Sequence, residues 1–143
     1  MYKLFAATAV AALLLAGPAL AKPAHLPAGF VKVSDALKNP GMEYIPGIGT
    51  LYVDAKTLPA GPFFGYSKAG KLVNVTYMVP LKEINAHKEW MNAGLSAKGL
   101  SVDHTDIYVS DAHPGVPEAH LHIVNWLVSP AEAKAMGDYH HMH

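Results

Sequence analysis

His104 and the pair His120/His122 stand on two extended stretches either side of the turn-rich segment Asp111-Ala112-His113-Pro114-Gly115-Val116-Pro117. Folding the stretches back about His113 sets 104 opposite 122 and 106 opposite 120. On a strand, alternate residues share a face. His104, Asp106, His120 and His122 then fall on one side of a hairpin, with Glu118 beside them. Imidazoles at i and i+2, joined by a third ligand from the neighbouring strand, match the geometry of a three-histidine zinc or copper site. A nearby carboxylate would complete the coordination shell or orient a ring through its other nitrogen. The candidate metal ligands are therefore His104, His120, His122, Asp106 and Glu118, and the candidate ion is zinc or copper.

The bland alternative is a polar sheet face whose His and Asp side chains make ordinary cross-strand hydrogen bonds. A one-residue slip in register would scatter the group. His113, at the tip of the connecting loop, reads as solvent-exposed. His87 falls on the polar side of a helix and reads as a surface residue.

The elements that carry these side chains can be traced along the chain. Val33 to Lys38 has the makings of a short helix with Ser34 as cap, inside a Pro- and Gly-rich wrapping segment over residues 22–47. Ile48 to Asp54 reads as a strand. Phe63 to Tyr66 and Leu72 to Val79 form a hairpin across Ser67-Lys68-Ala69-Gly70-Lys71. After Pro80 the spacing changes, and Ile84, Met91 and Leu95 predict a helix over Leu81 to Ala97 ending at Gly99. Leu100 to Ser110 and Ala119 to Ser129 are two further strands. Pro130 to Met136 starts a short terminal helix, with Ser129 as cap and Pro130 at its first position. The expected fold is α+β: a mainly antiparallel sheet of two hairpins plus an additional strand, with one main helix packed on one face. A single domain spans 48–137.

On the hairpin itself, Leu121, Ile123 and Leu127 are the more apolar set, and so are Ile107 and Val109. These point to the core. The histidine-bearing set is then expected on the opposite face, towards solvent or a pocket wall.

Composition narrows the functional class. The first residues combine a basic start at Lys3, an apolar run from Leu4 to Leu15, and small residues at Ala19 and Ala21, the pattern of a cleaved export signal over residues 1–21. The apolar run is shorter than the roughly 20 residues needed to span a bilayer. Removing 21 of the 143 residues leaves 122, with 10 basic against 11 acidic side chains. That balance lacks the positive field that nucleic acid or an anionic membrane would require. There is no cysteine, so disulfides, thiolate metal sites and cysteine nucleophiles are excluded. Metal binding has to use imidazole, carboxylate or thioether.

Nine histidines are many for this length, and all but His25 lie at or beyond residue 87. The tail over 138–143 adds His140, His141, Met142 and His143, a group able to capture copper, nickel or zinc loosely. The new amino terminus does not make the usual copper motif: His25 would be fourth, behind Pro23 with no backbone N–H. No Gly-x-Ser-x-Gly elbow surrounds Ser101, Ser110 or Ser129, and no phosphate-cradling loop is present. The aromatic residues Phe63, Phe64, Tyr66, Tyr77, Trp90 and Trp126 read as packing.

Several segments carry a resemblance. Gly49-Thr50-Leu51-Tyr52-Val53-Asp54, Gly61-Pro62-Phe63-Phe64-Gly65-Tyr66 with Gly70-Lys71-Leu72, Tyr77-Met78-Val79-Pro80, and His113-Pro114-Gly115 through Pro117 to His122 resemble a family of small exported bacterial proteins of unknown function. The likeness covers roughly residues 42–130. That family's pattern has an early Gly-x-His-Tyr-Val stretch and a late Pro-His-x-Asp-x-His stretch. Here Leu51 stands at the early histidine, Glu118 and His120 depart from the late stretch, and His122 matches it. The resemblance implies export and a compact domain, with any metal site rearranged or lost.

Together these readings describe an exported domain, periplasmic or secreted, that binds a divalent transition metal or small ligand on a histidine-bearing sheet face. The alternatives are a metal-dependent enzyme using the same site, with Asp106 or Glu118 as proton acceptor, and a structural, self-assembling envelope protein without metal. The expected partners are a metal ion or small ligand, with no nucleic acid, no membrane after signal cleavage, and oligomerisation left open.

Overall fold

The computed structural model describes residues 23–91, 93 and 99–137. The segment 1–21, expected to be an export signal, and the histidine-rich tail over 138–143 lie outside the described residues. Six antiparallel strands form one sheet: β1 (Val31–Lys32), β2 (Thr50–Val53), β3 (Phe63–Tyr66), β4 (Leu72–Pro80), β5 (His104–Ser110) and β6 (His120–Trp126). Their spatial order is β1-β2-β3-β4-β6-β5. Among the described residues three short α-helices accompany them, α1 (Val33–Ala36), α2 (Leu81–Asn85) and α3 (Pro130–Ala135), with two short 3-10 helices at Pro40–Met42 and Ala55–Thr57.

The expectation of an α+β fold with one main helix is corrected by this architecture. The chain is β-rich, and among the described residues the longest α-helix has six residues. The helix expected over Leu81 to Ala97 closes after Asn85. Ala86 caps it, and His87 adopts a left-handed φ of 56°, a conformation that stops helical propagation. Ile84 and Met91, expected on the packed side, are 39% and 78% exposed, so among the described residues no amphipathic face is buried there. Leu95 lies outside the described residues.

β4 is the centre of the sheet, and its sequence explains why. Leu72 to Pro80 is a near-continuous run of apolar and β-branched residues, suited to a strand covered on both faces. The hairpin joining β3 to β4 turns through Gly70 at φ 79°, with Gly70 N–H donating to Ser67 O. Two polar residues are buried in β4 and both are satisfied. Asn74 Nδ2 donates to Ile48 O at 2.9 Å, and Thr76 Oγ1 donates to Asn74 Oδ1 at 3.1 Å. The Asn74 amide occupies the space beside Gly65, where a Cβ would come within 2.4 Å of it. α3 begins with the Ser129 cap expected for it, completed by Glu132 into a reciprocal capping box.

Each face of the sheet has its own cover. On one, Leu51, Val53, Phe63 and Met78 pack with Val33, Ile48 and Val116, so α1, the loop before β2 and the turn between β5 and β6 lie over them. The same face continues into Val124 and Trp126 against Val128 and Ala133 of the terminal segment. On the other, Phe64, Tyr66, Leu72 and Val75 are met by Leu26 and Phe30 from the wrapping segment. Tyr66 donates its hydroxyl to Ala24 O at 2.7 Å, and burial pushes that phenol up to about 12.

Register places the histidines. β6 pairs with β4 on one side and β5 on the other, seven residues along each. Tyr108 lies opposite His122 and Ser110 opposite His120, while His104 faces Trp126 and Asp106 faces Val124. His104 is thus paired four residues away from its expected partner. An even displacement preserves parity, so His104, Asp106, His120 and His122 do share a face. That face is the buried one. His120 and His122 are fully buried, whereas Ile107 and Val109 on the other side are 65% and 59% exposed. The expected assignment of core and open faces on this hairpin is reversed.

Candidate metal centre

Three imidazoles converge beneath the turn between β5 and β6. His120 Nε2 lies 2.8 Å from His122 Nε2 and 3.0 Å from His113 Nε2, and the His113 and His122 Nε2 atoms are 3.5 Å apart. His113, His120 and His122 are close enough to hold one metal ion. A point about 2 Å from all three nitrogens, the length of a zinc–imidazole bond, exists roughly 1 Å out of their plane.

The far nitrogen of each ring is engaged. His120 Nδ1 is 2.7 Å from Glu118 O, and His113 Nδ1 is 3.1 Å from Pro114 O. A carbonyl oxygen only accepts, so these two rings donate from Nδ1, and the neutral tautomer so fixed directs its Nε2 lone pair at the centre. His122 Nδ1 is 3.4 Å from the Tyr108 hydroxyl, and the two rings stack with centroids 4.8 Å apart. Anchoring one ring nitrogen so that the other can ligate is the outer-shell arrangement of metal-bound histidine. The Nε2 lone pairs of His113 and His120, 3.0 Å apart, repel one another unless a proton or a metal ion lies between them.

Local sequence explains the placement. His120 and His122 are i and i+2 on an inner strand, so one face receives both. His113 reaches the same point by a tight turn: His113 and Val116 exchange both backbone hydrogen bonds at 3.0 Å, with Pro114 and Gly115 at the corner. Pro at the first corner position and Gly at φ 93° at the second suit a type II turn. A Cβ on Gly115 would also stand 2.6 Å from Leu37 Cδ1. Gly115→Ala is therefore expected to destabilise the fold by about 1–2 kcal/mol and to shift His113. Thermal melts together with zinc titration would show both losses, and unchanged zinc affinity would mean that the turn does not set the ligand.

Of the five residues expected at the site, the structure brings two together. His104 is about 13 Å further along the sheet from His122, four residues at strand rise. There it stacks on Trp126 and contacts Asp103 Oδ1 through Nδ1. Asp106 accepts from Trp126 Nε1 at 2.8 Å. The Glu118 carboxylate ion-pairs with Lys82 at 2.7 Å and holds that ammonium above its usual range, while its backbone carbonyl anchors His120. Glu118 thus serves the centre through its main chain. Leu51 is buried in the core beside Val116 of the same turn. His113, expected at an exposed tip, is instead the third member of the group. The signal for it is the Pro114-Gly115 corner, which folds the preceding residue back over the sheet.

Neither a family model nor a curated protein matches the chain. A solved structure does: the hypothetical protein TTHB210 from Thermus thermophilus, 43% identical, with the match covering 65% of this chain and 89% of that one at a TM-score of 0.56. The chain belongs to the TTHB210 family. Kinship at this level carries the fold across. Because the Thermus protein is itself hypothetical, chemistry for this member of the TTHB210 family has to be argued from its own histidines.

Proposed function

We propose that this is an exported protein that binds one divalent transition-metal ion through Nε2 of His113, His120 and His122. The observation that carries the reading is the convergence of three Nε2 atoms whose rings are anchored from behind, two of them by carbonyl oxygens. A proton shared between two rings relieves one contact, whereas a metal ion relieves all three. Neutral imidazoles without thiolate favour zinc or copper. Export is supported by the basic start, apolar run and small residues of positions 1–21. Among the described residues no helix is long and apolar enough to cross a membrane.

Three protein ligands, rather than four, is the count of catalytic zinc sites, where the fourth position takes water or substrate. That keeps a metal-dependent enzyme as the second reading. The two carboxylates expected as its base are committed elsewhere, Asp106 to Trp126 and Glu118 to Lys82.

Protein purified without a metal-affinity step and then equilibrated with zinc is expected to hold one tightly bound ion per chain. Because the tail histidines can contribute weak sites, the comparison is with a His120→Ala/His122→Ala variant that keeps the tail. Equal tight binding by both proteins, with the variant folded, would reject the centre.

A further inference from the structure

Beside the three histidines lies a cavity of about 320 Å³. Its walls are Val33, Ile48, Leu51, Phe63, Met78 and Val116, all buried. His113 is on the lining too, and Met78 is the register partner of His122 on β4. Of the three histidines only His113 is on this lining, so the cavity and the histidine centre meet at His113 in the 113–116 turn. Gly41 and Pro114, both exposed, are part of the same lining and give the cavity a rim towards solvent.

Charge and shape together specify an occupant. Three neutral imidazoles leave a bound dication with its full charge, and no Asp or Glu belongs to the ligand group among the described residues. An uncompensated charge in a buried site is costly, so an anionic fourth ligand is favoured. The space next to it is apolar. On size, an apolar cavity of about 150 Å³ accepts a benzene ring, so roughly twice that takes an apolar body with about ten to twelve heavy atoms. We propose, building on the metal reading above, that the cavity binds a medium-chain carboxylate, its hydrocarbon body among Leu51, Phe63 and Met78 and its carboxylate on the metal held by His113, His120 and His122. The protein would then be a metal-assisted receptor for a small amphiphile.

Octanoate is the probe, tested on the full mature protein loaded with cobalt(II), whose visible spectrum responds to a change in its ligands. Metal per chain is measured on the same samples. Octanoate is expected to change the cobalt spectrum and to bind at least about a hundredfold more tightly than acetate, which shares the head and lacks six methylenes. 1-Octanol, with the body and no anionic head, is expected to bind at least tenfold more weakly. Leu58 also lines the cavity, and filling it by Leu58→Trp, or by Leu51→Phe should the first variant not fold, is expected to weaken octanoate at least tenfold with metal content unchanged.

One metal per chain with no octanoate response, or octanol binding as tightly as octanoate, overturns the proposal and leaves the metal centre standing. Equal octanoate affinity in the metal-free His120→Ala/His122→Ala protein also overturns it. Failure to load metal is read from stoichiometry alone and sinks the metal reading and this one together.

Discussion

Saturating the protein with zinc is expected to raise its melting temperature by about 15 °C over the chelator-treated form. A ligand that binds only the folded state at a thousand times its dissociation constant adds roughly 4 kcal/mol, and a domain of this size gains about 3–6 °C for each. The arrangement of the rings makes the dependence strong. Without an ion, the Nε2 lone pairs of His113 and His120 face one another at 3.0 Å beside His122, a repulsion present only in the folded state. Scanning calorimetry with and without chelator measures the difference. His120→Ala should melt at the same temperature in both conditions, since it removes the nitrogen closest to both others. A wild-type shift under about 2 °C would show that folding and metal are not coupled.

Trp126→Ala carries the second large effect, a loss of about 3–5 kcal/mol of folding stability. Trp126 is 6% exposed and packs with Val73, Val124, Val128 and Ala133. It sits between Asn74 of β4 and His104 of β5, stacks on the His104 ring at 6.0 Å, and donates Nε1 to Asp106. Truncation opens a cavity at the junction of the sheet and the terminal segment. Urea unfolding followed by circular dichroism gives the loss. Trp126→Phe keeps most of the packing and should lose less than half as much. Because Trp126 is four residues from His122 along β6, metal content should be unchanged in Trp126→Phe. A loss of metal there would tie the His104 end of the sheet to the centre after all.

These two ends of β6 show how far the sequence could be read. Strand alternation puts His104, Asp106, His120 and His122 on one face, and that parity holds. What alternation cannot supply is the pairing along the strands, because moving a register by an even number of residues leaves every face unchanged. The Pro114-Gly115 corner comes much closer to it. An unbroken ladder running back from a turn centred there would set 110 opposite 119, one residue from the observed partner His120. Taking His113 as the centre moves His104 onto His122 and leaves His113 itself outside the site.

The reversed faces have a different cause. Leu121, Ile123 and Leu127 are more apolar than His120 and His122, and hydropathy alone sends them inwards. Imidazole is also a flat aromatic ring, and it can be buried when its nitrogens are engaged, as those of His120 are by Glu118 O and its neighbouring rings. The overestimated helix after Pro80 fails on backbone conformation at His87, which apolar spacing does not encode. The Ser129 cap and the β3–β4 hairpin are legible because both rest on local chemistry, a hydroxyl on a free N–H and a glycine in a turn.

The three converging histidines do not hang from equally firm supports. His120 and His122 belong to β6, laddered on both sides, while His113 is carried by a four-residue turn in which Pro114 and Gly115 are exposed. Two nitrogens thus form a fixed seat and the third a latch. An ion held here would be expected to depart in sequence, with His113 lifting first and the β6 pair releasing last, so that metal exchange would follow the opening of the turn rather than the unfolding of the sheet.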